Sequence, residues 1–120
     1  MMKRYLAAAA LLLSASPAFA FQAQGGCNLD QQHAIKGQVG GQIKNAAQAH
    51  VSMRANMLQA DLSNAAKAQA LPQKDANAYA REVNQIRQSA LDQKDGVSPA
   101  YLKAYDRELD GITTYVCQNG

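Results

Sequence analysis

Residues 78–86 read AYAREVNQI and residues 104–112 read AYDRELDGI, a near-duplication twenty-six positions apart that commits both segments to one kind of local structure. Ala78 matches Ala104, Tyr79 Tyr105, Arg81 Arg107, Glu82 Glu108 and Ile86 Ile112, and Val83 with Leu109 is a close exchange. A repeat of this period is one supersecondary unit used twice, each copy burying its apolar face against a neighbour. The unit is a helix, because Ala76, Tyr79, Val83, Ile86 and Ala90 recur every three or four residues, as do Leu102, Tyr105, Leu109, Ile112 and Val116. That spacing gathers each set on one helical face and excludes the period of two that a strand needs.

Between the copies, DQKDGVSP at 92–99 carries a stop and a start. Gly96 suits the left-handed turn that ends a helix, Ser98 suits the cap of the next, and Pro99 suits its first turn. So short a connection predicts an antiparallel hairpin of helices over 73–91 and 98–116, with repeat units at 71–90 and 97–116. Upstream, 29–69 is rich in Ala and Gln and reads as helical, but its apolar stripe changes phase. Ile35, Val39, Ile43 and Ala46 share one face, and Val51, Ala55, Leu58 and Leu62 lie about 100° round from it. A break or kink near His50 to Ser52 would realign them. The alternative is one long helix with a broad apolar surface, weakened early by Gly37, Gly40 and Gly41. Pro72 suits the first turn of the helix that follows. The expected fold is all-α, a three- or four-helix bundle.

The first twenty residues form a secretory leader: Lys3 and Arg4, an apolar run from Leu6 to Leu13 too short to span a bilayer, and the cleavage signal Ala18-Phe19-Ala20. Cleavage after Ala20 starts the mature chain at Phe21 and leaves a single helical domain over 21–120, in the periplasm or secreted. A domain of this size is marginally stable on core packing alone. Cys27 and Cys117 lie near the ends of the mature chain, in a compartment where thiols oxidise, and read as one disulfide. In the loop-entropy model such a closure is worth roughly 4–5 kcal/mol. Acylation of Cys27 is the competing reading, but Gln24-Gly25-Gly26 lacks the aliphatic residue expected three places before a lipidated cysteine. Removal of Lys3 and Arg4 leaves ten basic residues against nine acidic ones. Such a balance, with the signs interspersed, offers no field to steer nucleic acid or to hold a membrane surface.

No G-x-S-x-G elbow, H-E-x-x-H or glycine-rich phosphate loop occurs, so neither catalysis nor a cofactor is expected. His33 and His50 are the only histidines, and Ser52, Ser63, Ser89 and Ser98 have no local support for a triad. Asp106 and Asp110, one helical turn apart, would suit acid–base work, but beside Arg107 they read as a solvated face. Asp95-Gly96 invites an EF-hand reading, which fails on register. With Gly96 sixth, the first, third and twelfth positions are Leu91, Gln93 and Leu102, which cannot supply carboxylate ligands. A sharper metal reading is His50, Met53 and Met57, an imidazole and two thioethers at helical spacing that would suit Cu(I). The competing reading makes them the ordinary apolar extension of the Ile35, Val39 and Ile43 face.

LPQKDANAYAREVNQIR from Leu71 and VSPAYLKAYDRELDGI from Val97 resemble small exported bacterial helical proteins. In these an aliphatic residue with Thr, Ser or Pro opens each helix and an L-D-x-I/L pattern closes the last. LPQKD at 71–75 and VSPAY at 97–101 stand where the Spy/CpxP-like periplasmic chaperones have L-T-x-x-Q, keeping the aliphatic residue without the Thr or final Gln. The resemblance implies a helical exported protein that binds exposed apolar segments of unfolded clients. The expectation is therefore an exported non-enzymatic binding protein, stress-related or chaperone-like, using a face that carries His50, Met53 and Met57. The alternatives are an inhibitor or immunity protein for a specific toxin or cell-wall hydrolase, and Cu(I) binding at the same three residues.

Overall fold

A computed structural model describes residues 27–119; the expected leader over 1–20, its expected cleavage site and Phe21 lie outside the described residues. The chain is all-α, with helices α1 (Leu29–His33), α2 (Ala46–Lys67), α3 (Gln73–Leu91) and α4 (Pro99–Asn119). Cys27 and Cys117 are bridged with their Cα atoms 5.9 Å apart, so Cys27 has no thiol left to acylate. Among the described residues no helix is long and apolar enough to cross a membrane.

Helix directions follow from the cross-links. Gln48 reaches Ala90 and Gln59 reaches Ala80, so α3 runs antiparallel to α2. Tyr79 packs at a tilt against Tyr115 with ring centroids 4.5 Å apart and Ser89 bonds Tyr105, so α4 runs antiparallel to α3 as the short connection requires. α4 is thereby parallel to α2. α2 is the shared wall, packed closely by α3, less by α4, while α3 and α4 touch least. Its stripe Val51, Ala55, Leu58, Leu62 and Ala65 meets Val83, Ile86 and Ala90 of α3 and Tyr105, Leu109, Ile112 and Val116 of α4. Positions twenty-six apart carry matching burial: Val83 and Leu109 are both 0% exposed, and so are Ala90 and Val116.

The expected break near His50 to Ser52 is not there. α2 runs through those residues without interruption, and the helical pattern fails earlier, over residues 34–45. Ile35, Val39 and Ile43 therefore share no helical face, and Val39 is 56% exposed. Glycine is the cause: Gly40 and Gly41 take φ of 156° and 58° in a tight turn closed by paired 2.9 Å backbone hydrogen bonds between Gly40 and Ile43. Each glycine also costs a helix about 1 kcal/mol against alanine. The chain re-enters helix at Asn45, whose side chain accepts from the Gln48 N–H at 2.9 Å. Ser98 caps α4 as expected, accepting from the Tyr101 N–H at 3.2 Å. Gly96 is left-handed at φ 91° but lies in the connecting loop, beyond the α3 terminus at Leu91.

α2 ends in a Schellman closure, with the Ala70 N–H on the Ala65 carbonyl at 2.8 Å and the Gln69 N–H on Ala66 at 3.0 Å. Gln69 holds φ 61°, a left-handed position that glycine usually fills. Gln69→Gly should raise the denaturant midpoint, by about 0.5–1 kcal/mol in stability, since relief of a left-handed side chain exceeds the added chain entropy. Leu109→Ala should cost on the order of 2–5 kcal/mol in equilibrium unfolding and Val83→Ala less, the deleted side chain being smaller. Parent-like midpoints for both would contradict the core packing described above.

Candidate functional site

One buried cation organises the interface of α2 and α4. Asn45 starts α2 in a register that puts His50 and Arg54, one turn apart, on the side facing α4. On α4, Asp106, Asp110 and Thr113 share the facing side at helical spacing. The Arg54 side chain is only 1% exposed, and its Nη1 donates to Asp106 Oδ1 and lies 2.9 Å from both Asp106 Oδ1 and Asp110 Oδ1. Its Nη2 donates to Thr113 Oγ1 at 3.2 Å. A guanidinium so deep is tolerable only when charge and donors are met together, and here two carboxylates and a hydroxyl meet them.

Histidines extend this network to the N-terminal segment. His50 Nε2 lies 2.7 Å from Asp106 Oδ1, and its Nδ1 lies 2.6 Å from the Ile35 carbonyl oxygen. His33, at the end of α1, reaches Asp110 Oδ2 at 2.8 Å. The hydrogen bond to Asp106 raises the His50 pKa above its ordinary value against the opposing cost of burial, with the Ile35 carbonyl assisting. Burial pushes the Asp106 carboxyl up, but the hydrogen bonds from His50 and Arg54 outweigh it and the net shift is downward.

Asp106 and Asp110 are thus not the solvated face that Arg107 seemed to indicate. They are half-buried and point to the buried Arg54, and with exposed Lys103 and Arg107 they line an outer depression. The signal for this lay in the repeat: Asp106 and Asp110 align with Ala80 and Asn84, so acids replace neutral residues only in the copy that faces Arg54. The His50–Arg54 pair on α2 faces them at the same spacing.

The face expected to carry His50, Met53 and Met57 is divided. His50 is buried beneath the 34–37 segment, Met53 is 37% exposed and Met57 is half-buried. Both His50 ring nitrogens are engaged, so coordination of Cu(I) would require breaking one of those bonds, and we assign it no ligand role. Among the described residues no group of three or more His, Cys, Asp or Glu is placed to hold a metal. As a general base His50 has the same constraint, since a base needs a free lone pair.

Beside the network opens a groove of about 480 Å³, walled by Ile35 and Lys36 on one side, Ala46, Ala47 and His50 on α2, and Leu102 on α4. Its lining is mostly apolar, with Lys36, His33 and His50 as its polar members. A second set of polar side chains closes the far side of the same end. Gln48, fully buried, accepts from the Lys44 N–H and donates to the Ala90 carbonyl at 2.8 Å, occupying the carbonyl end of α3. Asn45 exchanges two hydrogen bonds with the Val97 backbone, at 3.1 and 3.3 Å, which pins the α3–α4 loop to the start of α2.

Removing the cation should be costly out of proportion to its size. Arg54→Met leaves the two α4 carboxylates, one turn apart, without their buried cation and should lose about 3–5 kcal/mol in urea unfolding at neutral pH. Adding Asp106→Asn and Asp110→Asn to that variant should recover more than half of the loss, because the uncompensated charges go with the cation.

No protein-family model, no curated protein and no solved structure matches this chain.

Proposed function

We propose that this chain is an exported, non-enzymatic binding protein that holds one dedicated protein partner, in the manner of an inhibitor or immunity protein. The observation that carries this reading is the groove between the 34–37 segment, α2 and α4, set in a rigid frame of disulfide, buried Arg54 and paired loops. A cleft with two of its walls, α2 and α4, held in fixed register favours selection of one shape, because those walls have little ordering entropy left to lose on binding. A chaperone for unfolded clients needs a broad, adaptable apolar surface. Among the described residues the exposed large apolar side chains are Val39, Met53 and Tyr101.

The disulfide and the leader pattern support export. The resemblance to Spy/CpxP-like chaperones supports the second reading, for which Met53 is the accessible candidate. Light scattering from an unfolding client separates the two. The dedicated-partner reading expects no suppression by the parent protein at equimolar ratio, and stoichiometric capture of a single protein from the exported fraction that Leu102→Glu abolishes with the helical spectrum intact. Suppression that disappears in Met53→Glu, Met57→Glu would reverse the assignment in favour of the chaperone.

A further inference from the structure

A neutral imidazole has one N–H and one lone pair, so it can donate to one acceptor only. His50 faces two. The Ile35 carbonyl oxygen at Nδ1 and the Asp106 carboxylate at Nε2 both require a donor, at 2.6 and 2.7 Å. Asp106 cannot reverse the second bond, because Arg54 holds the same oxygen at 2.9 Å and keeps the carboxylate ionised. Both bonds together therefore require the imidazolium form.

We propose that His50 is a protonation-controlled latch that fastens residues 34–37 to α2 and α4 and so sets the width of the groove they wall. Loss of one proton leaves one N–H. It stays on Nε2, since a charged acceptor binds a donor about twice as strongly as a neutral one. The Nδ1 lone pair then faces the Ile35 oxygen, the contact becomes repulsive, and the segment lifts. It lifts as a hinged piece, because the Cys27–Cys117 bridge and the His33–Asp110 pair hold its far end to α4. Its seat on α2 is otherwise the contact of Gly37 with the Ala49 backbone, where a Cβ would collide with the Ala49 carbonyl.

The charged groups around the latch are Arg54 on α2, Asp106 and Asp110 on α4 with Lys103 and Arg107 outside them, and His33 and Lys36 on the segment itself. Arg54 works against the imidazolium; the hydrogen bond to Asp106 outweighs it and places the folded-state pKa of His50 above 6.5. The latch's contribution is accordingly complete below pH 6.5 and is lost as pH rises through that higher folded value. Asp106 sets the acid limit. Its contribution is present above pH 3.8 and is lost as pH falls through its depressed folded value.

Nitrogen-15 NMR of the full oxidised protein tests this directly. At about pH 5.5 both His50 ring nitrogens should show imidazolium shifts, and by about pH 9 Nδ1 should show a lone pair. In the same titration the Ile35 carbonyl carbon and the Gly37 amide should change chemical shift along with His50, while the α3 amides stay in place. His50→Gln, with its donors on a single nitrogen, should remove that step, and His33→Gln should keep it. A neutral His50 at about pH 5.5 in the parent, or Ile35 and Gly37 signals that stay in place as His50 loses its proton, would overturn the proposal whether or not the variants fold.

Discussion

A guanidinium withdrawn from water must meet opposite charge at short range, and that requirement at Arg54 fixes how α4 sits on α2. Hydrophobic contact between two helices tolerates sliding by a turn, since one aliphatic ridge packs into the next groove nearly as well. Arg54 removes the tolerance. Only one register brings Asp106, Asp110 and Thr113 to its two Nη atoms, and only the parallel orientation leaves His50 beside Asp106. The apolar core supplies the driving force for association, and the ion network selects among the associated states.

A comparable division holds between α2 and the ends of the other helices. Gln48 and Asn45 serve a purpose that the hairpin's own side chains do not, because the last carbonyls of α3 and the backbone at Val97 find partners on the helix preceding them in sequence. The loop between α3 and α4 is thereby built against α2, which explains why the two repeat copies touch each other less than either touches α2.

Helices α3 and α4 were legible in the chain because apolar period and repeat agree, with Ser98 marking the start of α4. The core stripe of α2 was legible from its period alone. Residues 34–45 were misread because Ile35, Val39, Ile43 and Ala46 happen to keep helical spacing. Apolar spacing competes there with the intrinsic cost of Gly37, Gly40 and Gly41, and the glycines prevail, since exposed Val39 gains nothing from the helical face. The candidate site was only half legible. His50 was picked out for its neighbours Met53 and Met57, whereas its partners come from Ile35 and from Asp106, fifteen and fifty-six positions away in sequence. Helical spacing reports neighbours on one helix; it carries no information on which charged turn faces which.

The bridge between Cys27 and Cys117 has a mechanical consequence. A tension applied to the chain on the outer sides of these two residues passes through the sulfur–sulfur link, because their Cα atoms stand 5.9 Å apart and everything between them forms a closed ring. The four helices hang on that ring as an unloaded side loop. Pulling in an oxidising compartment would bypass the ring between the two cysteines, and the same pull after reduction would fall on α1 and α4 at once.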